Sequence, residues 1–415
     1  MSALPKERLR VGFIGSGFIA EFHLKSMINV RNVDVTAVFG LDPASCERFC
    51  GIVKDLGLGN CKAYTSLEAM LAADDVDAVW LLTPNHTRVE VMRTIHKEIT
   101  EGRSKVFAIA CEKPLARTIG EAREMLRLAN DAKLNHGYLE NQVFCTPVIR
   151  GKEIIWRRAA SATGRPYLAR AAEEHSGPHS PWFWQGDKQG GGVLSDMMCH
   201  SVEVARHLLT EPSSERRSLK VKEVNGTTAN LKWVRKNYAD QLIKRYGPSV
   251  DYHKRPSEDF ARGTVLLEDG DGNEVVIEAT TSWAYVGAGL RIQLELLGPE
   301  YSMEFNSLNT GLKIFMSREV SGEEGEDLVE KQNAEQGLMP VLEDEAGVYG
   351  YTDENRHMVE CFRKGETPLE TFDDGLAVVE ILMALYASAE TGETVKFPID
   401  HLEDYVPVVA RIPSE

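Results

Sequence analysis

The sequence lacks the features of a membrane protein, a secreted protein or a nucleic-acid-binding protein. No apolar run approaches the ~20 residues of a membrane-spanning helix, and residues 1–6 contain no hydrophobic region of the signal-peptide type. Lys and Arg number 47 against 63 Asp and Glu, and the net charge of -16 argues against nucleic acid or an anionic membrane as a partner. We therefore expect a cytoplasmic protein with neither partner.

Cysteine is also scarce, and its distribution excludes the usual frameworks built on it. The seven cysteines are scattered, odd in number and without a CxxC pair. Cys46 and Cys50 could share one face of a helix, but no nearby histidine completes a set of metal ligands. The sequence therefore predicts reduced, structural thiols and no bound metal.

The composition is that of a globular chain with more than one domain. The 415 residues are 43% apolar and 27% charged, which suits two or three packed domains. Up to about residue 140, strands alternate with helices, as in a parallel sheet with crossover helices. The predicted elements are strands at 11–14, 33–39, 78–82 and 106–111, and helices at 89–99 and 119–132.

Beyond about residue 220 the pattern becomes rich in strands. They are predicted at 221–234, 261–267, 274–282, 291–297 and 312–316, with helices at 352–363 and 374–389. Gly270-Asp271-Gly272-Asn273 reads as a hairpin turn between two of the strands. The predicted fold is an α/β Rossmann domain over 1–140, followed by an α+β domain over 141–415 built on an open, mostly antiparallel sheet. The helix around 374–390 is a candidate to pack back on the first domain.

Two stretches interrupt the second domain. Residues 235–255 are rich in Lys, Arg and Tyr, and we interpret them as an insertion that is either a solvated loop or an arm that grips a partner. Residues 319–330 are acidic and contain glycine, which is typical of an exposed loop.

A glycine fingerprint stands at the start of the chain. Gly15-x-Gly17-x-x-Ala20 follows an apolar strand and leads into a helical pattern. Gly15 permits a tight turn, Gly17 lets the backbone approach a pyrophosphate, and Ala20 lets the helix pack closely on the strand. Unpaired N–H groups at the helix start, beside Phe18 and Ile19, suit phosphate. The pattern predicts a bound dinucleotide.

The end of the second predicted strand bears on which dinucleotide is bound. Asp42 could hold the adenosine ribose, but Asp42-Pro43 is equally typical of a helix N-cap. No Arg or Lys lies in this tip to hold a 2′-phosphate. The sequence favours NAD over NADP without excluding NADP.

Polar residues follow two further strands at the edge where open α/β sheets bind nucleotides. Thr83-Pro84-Asn85-His86 could line the nicotinamide ribose, or could simply start a helix. Glu112-Lys113-Pro114 ends the next strand, where an ammonium would lie near the nicotinamide. A solvated strand end is the alternative for Lys113.

A second cluster of polar residues follows Gly190-Gly191-Gly192. Helical spacing places Asp196, His200 and Glu203 on one face, among apolar neighbours. Histidine titrates near neutrality, as a base for alcohol oxidation should. A surface salt-bridge stripe is the alternative.

The loop before this helix is dense in histidine and aromatic residues. Aromatic faces stack on the C–H faces of pyranose rings, and imidazoles can bond to hydroxyls. We therefore predict that at least one of His175, His179 and Trp184 contacts a sugar or polyol. The alternative is a hydrophobic plug formed by Trp182 and Trp184.

Taken together, these motifs resemble the Gfo/Idh/MocA oxidoreductases, named for glucose-fructose oxidoreductase, inositol dehydrogenase and the rhizopine catabolism protein. The resemblance covers nearly the whole chain. It rests on the glycine fingerprint, Thr83-Pro84-Asn85, Glu112-Lys113-Pro114, Asn141 with Pro147, Gly191-Gly192 leading to Asp196-x-x-x-His200, and residues 388–393. The sequence departs from the family at Met198, which stands where a helix glycine is usual, and at Gly40, where an acid is commoner.

The resemblance implies that Lys113, Asp196 and His200 surround the reacting carbon. It also implies hydride transfer between a nicotinamide and a secondary alcohol of a sugar, glycoside or cyclitol, and a homodimer or homotetramer. Asn141 joins the expected cofactor-binding residues. Two alternatives stay open: a glycosidase or lyase that uses transient oxidation, and a non-catalytic nucleotide-binding sensor.

Overall fold

The computed structural model describes residues 6–287, 289–316, 337–342 and 344–411. Elements are numbered along the chain. The strands are β1 (Leu9–Ile14), β2 (Val33–Phe39), β3 (Lys62–Tyr64), β4 (Ala78–Leu81), β5 (Ala108–Glu112), β6 (Asn135–Leu139), β7 (Leu168–Glu174), β8 (Lys220–Ala229), β9 (Phe260–Glu268), β10 (Glu274–Ser282), β11 (Arg291–Gly298), β12 (Tyr301–Asn306), β13 (Leu312–Met316), β14 (Gly337–Val341) and β15 (Val395–Lys396).

The helices are α1 (Phe18–Ser26), α2 (Pro43–Asp55), α3 (Leu67–Leu71), α4 (Arg88–Thr100), α5 (Ile119–Asp131), α6 (Thr146–Ile154), α7 (Ser161–Thr163), α8 (Gly186–Gln189), α9 (Val193–Leu209), α10 (Lys236–Tyr246), α11 (Glu345–Val348), α12 (Tyr351–Lys364) and α13 (Phe372–Thr391). Within the described ranges, no helix has the length and apolar character needed to cross a membrane.

The chain forms two compact units. Unit 1 comprises Met1–Phe144 and Tyr349–Val379, and unit 2 comprises Cys145–Val348 and Glu380–Glu415. The first boundary lies four residues beyond the predicted division at 140. A stretch of chain near the C-terminus also belongs to unit 1, whereas the sequence assigns all of 141–415 to the second domain.

Unit 1 is built on a parallel sheet with the strand order β3-β2-β1-β4-β5-β6. Every residue of β4 and β5 is buried, which is expected where both faces of a parallel sheet are covered. The crossover helix α5 is amphipathic, because its buried residues recur at helical spacing and give it one apolar face. The predicted Rossmann fold is confirmed.

Unit 2 contains a mixed sheet with the order β12-β11-β7-β10-β9-β8-β15. All neighbours are antiparallel except β7 and β10, which confirms the predicted mostly antiparallel sheet. The predicted hairpin joins β9 to β10, and Asp269 stabilises its turn by accepting the N–H groups of Asp271 and Asn273. The helix α9 packs on β7, β10 and β9.

The insertion at 235–255 holds a helix, so the expectation of a solvated loop is wrong. Ala239 and Leu242 of α10 are buried at i and i+3, which gives the helix an apolar face. The carboxylate of Asp259 accepts three backbone N–H groups at 231–233, and the Tyr246 hydroxyl donates to His179 O at 2.9 Å. The insertion is therefore docked on unit 2. The predicted acidic loop at 319–330 lies outside the described residues.

Candidate active site

The glycine fingerprint forms the tight turn that the sequence predicts. Gly15 has φ +115°, its N–H donates to Phe39 O at 2.8 Å, and a Cβ there would lie 2.9 Å from Leu82 O. Any other residue would be strained and would collide with the backbone. At Gly17 a Cβ would meet nothing within 4 Å, so the space in front of α1 is open.

Gly17 is also the N-cap residue of α1, and no side chain caps that helix. A helix start without a side-chain cap, with open space beside its N-cap glycine, is the kind of site at which helices bind phosphate. Phe18 is 45% exposed, Ile19 is half-buried and Ala20 is fully buried against the sheet. The fingerprint fits a dinucleotide, and its contacts with one stay a prediction.

The tip after β2 is tightly packed around Gly40, where the family more often has an acid. A Cβ at this position would lie 2.8 Å from the Cys46 sulfur and 2.9 Å from the Ser16 hydroxyl, so any larger residue would displace these two side chains. Asp42 is exposed and caps α2, its Oδ1 accepting the N–H of Ala44 at 3.2 Å. The capping alternative is confirmed, and a contact between Asp42 and the ribose stays a prediction.

Arg88, which sequence reasoning missed, organises the backbone on either side of Lys113. Its guanidinium is buried at the start of α4 and donates to the carbonyls of Thr83 (3.0 Å), Glu112 (2.5 Å), Lys113 (3.3 Å) and Pro114. Arginine presents its donors in a rigid fork, which suits several acceptors in fixed directions. One side chain thus joins the two loops that the sequence predicted at the cofactor edge.

The carboxylate of Glu112 is fixed from the other side of the strand end. It lies 3.1 Å from His23 Nε2, and His23 Nδ1 contacts the Asn355 side chain, which also accepts from Trp80 Nε1 at 2.9 Å. Burial raises the pKa of Glu112, but the His23 hydrogen bond and the charges of His23, Lys113 and Arg88 outweigh it and lower the pKa. Glu112 is therefore an anion beside Lys113.

The remaining predicted cofactor residues of unit 1 lie in two short 3₁₀ turns. Asn85 is 1% exposed and begins one of them, followed by the half-buried His86. Asn141 begins the other and donates to Tyr349 O at 2.7 Å. Its amide oxygen is buried and has no partner among the described residues. A buried acceptor costs free energy unless a ligand or water satisfies it, which suits a cofactor amide.

In unit 2, α9 carries the predicted acid and imidazole, both buried. Asp196 Oδ2 accepts the Trp283 indole N–H at 3.1 Å, and His200 Nε2 lies 3.9 Å from Glu173 Oε2. Glu203 serves a different purpose, because its carboxylate pairs with Arg206 (2.5 Å) and Arg216 (2.6 Å). The buried surroundings exclude the surface-stripe alternative for Asp196 and His200.

The aromatic loop is more structural than the sequence predicts. Trp184 is 3% exposed, its indole donates to Pro178 O at 3.2 Å, and its ring packs against Trp233, Tyr252 and Trp283. His175 is 2% exposed, and its Nδ1 accepts the N–H of Gly177 at 2.9 Å. These placements favour the plug alternative for Trp184.

His179 and the neighbouring ring pair remain accessible. His179 and Trp182 are both half-buried, and the Trp182 and Phe183 rings stack with centroids 3.8 Å apart. A sugar contact by this loop stays a prediction, and it falls more naturally on these residues than on Trp184.

Each unit thus brings together one part of the predicted site. Unit 1 joins the 83–86 loop to 112–114 through Arg88, and unit 2 joins Asp196 and His200 to Trp283 and Glu173. Sequence patterns gave only weak signals for the residues that were missed. Arg88 is a single arginine in the first turn of a helix, and Glu173 and Trp283 lie at strand ends. Only the three-dimensional structure gives them partners.

Comparison with known proteins matches both units to one family. The Gfo/Idh/MocA model described as "Oxidoreductase family, NAD-binding Rossmann fold" matches residues 9–137. The model of the same family's C-terminal alpha/beta domain matches residues 167–397. The two matches together cover most of the chain.

Individual members of the family share 30% or less of their residues with this chain in the comparisons that follow. The chain is 30% identical to 1,5-anhydro-D-fructose reductase of Ensifer adhaerens over 213 residues, which is 50% of this chain and 58% of the reductase. It is 25% identical to D-glucoside 3-dehydrogenase of Escherichia coli K12 over 410 residues, 95% of this chain and 99% of that enzyme. The crystal structure of GenD2 from gentamicin A biosynthesis, in complex with NAD, has a TM-score of 0.74 and 25% identity, covering 96% and 98% of the two chains.

Proposed function

Because the chain belongs to the Gfo/Idh/MocA family of oxidoreductases, we propose that it is an NAD-dependent dehydrogenase. Its substrate is a sugar, glycoside or cyclitol, oxidised at a secondary alcohol or formed by the reverse reduction. The observation that carries the proposal is the buried face of α9, where Asp196 and His200 lie within a unit that matches the family's C-terminal domain.

The residues of unit 1 fit a nicotinamide dinucleotide. Gly15 and Gly17 shape an open turn at an uncapped helix start, and Asn141 offers a buried amide oxygen that accepts from no described residue. We assign pyrophosphate binding to the N–H groups at 17–20, ribose binding to Asp42, and nicotinamide-side contacts to the 83–86 loop, Glu112 and Asn141. When bound, NAD supplies the acceptor for the hydride.

Lys113 is assigned to the substrate oxygen. Its ammonium stabilises the negative charge that develops when the hydroxyl loses its proton, by charge and by hydrogen bonding. Arg88 donates to the carbonyl of Lys113, so the backbone from which the lysine side chain extends is held in place. The neighbouring Glu112 carboxylate stabilises the charged form of the lysine.

His200 is assigned as the general base. Its imidazole accepts the hydroxyl proton, and the Glu173 carboxylate 3.9 Å away stabilises the imidazolium that results. Asp196 accepts a hydrogen bond from a substrate hydroxyl. The Trp283 indole N–H donates to Asp196 Oδ2, and this hydrogen bond orients the carboxylate.

The substrate class within the proposal is a pyranoside. Support comes from D-glucoside 3-dehydrogenase, which matches this chain over nearly its full length. It also comes from the loop bearing His175, His179, Trp182 and Trp184, because partly exposed aromatic rings suit the C–H faces of a pyranose. His179 and Trp182 are the residues that we expect to touch the sugar, with His175 and Trp184 holding the loop.

Two features of the proposal concern the protein as a whole. We propose a cytoplasmic homodimer or homotetramer, and the family resemblance supports this proposal. The transient-oxidation lyase and the sensor are not favoured, because the relatives described above are a dehydrogenase and a reductase.

A substrate panel tests the proposal. Purified protein is mixed with NAD, and separately with NADP, against methyl glucosides, free hexoses and inositols, and reduced cofactor is followed by its absorbance. We expect NAD reduction with at least one pyranoside. The proposal fails if every compound is silent while NAD binding is demonstrated by titration of tryptophan fluorescence.

A further inference from the structure

The helix α9 begins without any capping residue of its own. Gly190-Gly191-Gly192 precedes it, and Gly192, the N-cap residue, has no side chain with which to cap. The first N–H groups of a helix have no partners within it, and leaving them unsatisfied in a buried setting costs free energy. Because α9 is buried along its length, these donors need partners from elsewhere in the fold.

Two residues of unit 2, distant in sequence, supply those partners: their side chains accept three of the N–H groups, and one backbone carbonyl accepts the fourth. Glu258 precedes β9 and Tyr386 lies in α13, and they are 3% and 2% exposed. The N–H of Gly192 donates to Glu258 Oε1 and to the Tyr386 hydroxyl, both at 3.0 Å. The next donors, Val193, Leu194 and Ser195, reach Glu258 O (3.0 Å), Glu258 Oε1 (3.1 Å) and the Tyr386 oxygen (3.2 Å).

The two acceptors are also joined to each other, and the glycines make their approach possible. The Tyr386 hydroxyl donates to Glu258 Oε1 at 2.5 Å, which closes the arrangement. A Cβ at Gly191 would lie 2.0 Å from the Tyr386 hydroxyl oxygen, and a Cβ at Gly192 would lie 2.5 Å from Glu258 O. We call this pair, Glu258 with Tyr386, the helix-start bracket.

The helix-start bracket is also connected to Asp196, both through the first turn of α9 and through Trp283. Asp196 makes the first hydrogen bond within the helix, its N–H donating to Gly192 O at 3.1 Å, so it follows the bracketed turn directly. Its side chain accepts the Trp283 indole N–H. The backbone N–H of Trp283 in turn donates at 2.8 Å to the carbonyl of Asp259, the residue after Glu258.

From these contacts we infer that Glu258 and Tyr386 are positioning residues, which set the place of Asp196 and, one turn further along α9, of His200. The inference rests on the proposed function for its catalytic consequence. Neither residue is proposed to touch substrate or cofactor. Displacement of a reacting group by about 1 Å can cost on the order of 100-fold in rate, so a loosened first turn should lower turnover.

The test compares four variants in the full-length protein. Tyr386→Phe removes one acceptor and its donor, Glu258→Leu removes the carboxylate, and Glu258→Gln keeps one carbonyl oxygen that can accept. Tyr301→Phe is the matched control, because it removes a tyrosine hydrogen bond to Gly164 O elsewhere in unit 2. Should Glu258→Leu fail to fold, Glu258→Gln and Tyr386→Phe preserve the shape of the site and carry the test.

The first measurement needs no substrate. In protein labelled with ¹⁵N-tryptophan, the Trp283 indole N–H reports its hydrogen bond to Asp196, and Trp283→Phe assigns the signal. We expect this signal to shift, and to exchange faster with water, in Tyr386→Phe and Glu258→Leu, with Glu258→Gln intermediate and Tyr301→Phe unchanged. An unaltered Trp283 signal in Tyr386→Phe and Glu258→Gln would overturn the inference.

The second measurement uses the sugar that the substrate panel identifies. We expect kcat to fall on the order of 10- to 100-fold in Tyr386→Phe, with KM and the Kd for NAD within about threefold of wild type. Glu258→Gln should keep a higher kcat than Glu258→Leu, because its side chain retains an oxygen that can accept. A kcat equal to that of Tyr301→Phe would overturn the catalytic part. If wild type is silent on every sugar while the Trp283 signal responds, the proposed dehydrogenation fails and the bracket stands.

Discussion

At the scale of single residues, Lys113 is the group on which the proposed chemistry depends most. It directly follows the buried strand β5, and its neighbours Glu112 and Pro114 share with it the carbonyl contacts to Arg88. A lysine at a solvated strand end would have no such surroundings. The sequence predicted the position of Lys113 from the strand that precedes it, but nothing in the local pattern indicated the guanidinium that fixes its backbone.

Lys113→Met should lower kcat by about 100- to 10,000-fold, because it removes the cation that stabilises the developing alkoxide while keeping a similar length and volume. The Kd for NAD should change by less than about threefold. Lys105→Met is the control, since Lys105 is exposed and pairs only at the surface with Asp74. Steady-state kinetics and fluorescence titration with NAD measure both quantities, and near-normal turnover would remove Lys113 from the mechanism.

Arg88→Lys should lower kcat on the order of 10-fold, although it keeps the positive charge. A single ammonium cannot serve carbonyls at Thr83, Glu112 and Pro114 in the directions that the fork of a guanidinium does. Arg93→Lys on the same helix is the control, because Arg93 forms exposed ion pairs with Glu90 and Glu124. Equal kinetics for the two variants would show that charge alone matters at position 88.

At the scale of elements, the start of α9 joins stability to the proposed site. Glu258 is buried beside the first turn of α9, and this burial raises its pKa to about 7. The hydrogen bonds from Tyr386 and the backbone act in the opposite direction and lower the pKa, but they do not outweigh burial. The titratable groups facing it are Tyr386, Tyr405 and Tyr252, and their own pKa values are raised, so they stay neutral near pH 7. The titration near neutral pH is therefore that of the carboxyl.

The stability of the protein should depend on pH through Glu258. Its pKa is higher in the folded state than the usual 4.5, so its contribution to stability is fully present below about pH 4.5 and is lost as the pH rises through 7. Relative to wild type, Glu258→Gln should gain about 3 kcal/mol in free energy of unfolding between pH 4.5 and 8. Urea unfolding at both pH values measures the difference.

Glu268→Gln provides the comparison for this pH dependence. Glu268 pairs with Lys222 on the solvent-accessible side of β9, where such pairs contribute little. Its free energy of unfolding should follow that of wild type across the same pH range. A pH-independent difference between Glu258→Gln and wild type would mean that Glu258 does not titrate between these pH values.

Gly192→Ala should destabilise the protein by about 2 kcal/mol or more, because the added Cβ would lie 2.5 Å from Glu258 O, a backbone atom that cannot move alone. Gly270→Ala is the matched control, since a Cβ there meets nothing within 4 Å and the hairpin turn accommodates it. Thermal and urea unfolding of the two variants give the comparison. Equal stability would contradict the close approach of Glu258 to the helix start.

The elements also show where sequence reasoning reaches its limit. Strands that combine a recognisable apolar segment with interspersed polar residues, such as β2, β10 and β13, begin and end at the predicted residues. The strands β3, β6, β7, β12, β14 and β15 were not predicted. Most of them are short or carry charged and small residues, so their strand conformation depends on neighbouring strands in the sheet. The helix α10 was missed because its sequence is dominated by charge, and its two buried apolar residues gain meaning only from the surface on which it docks.

At the scale of the whole molecule, the two folds follow from the order of predicted strands and helices, and family membership follows from motifs that are widely separated in the chain. The alternating pattern up to residue 140 and the strand-rich pattern beyond residue 220 predicted the two domain types. The glycine fingerprint, Glu112-Lys113-Pro114 and the Asp196 to His200 spacing carried the family resemblance. What the sequence could not supply was the set of residues that hold those motifs, namely Arg88, His23, Trp283, Glu258 and Tyr386. Their partners lie far away in sequence, so no local pattern predicts them.

Net hydride transfer from a sugar carbon to NAD can be followed by isotope tracing. The sugar that the panel identifies is prepared with deuterium on each alcohol-bearing carbon in turn, and the NADH formed is weighed by mass spectrometry. We expect that one position, and one only, gives NADH heavier by about one mass unit, with one NADH per ketone formed. NAD that is unchanged at the end, with deuterium released to water and a bond to the sugar cleaved, would contradict net dehydrogenation and favour transient oxidation.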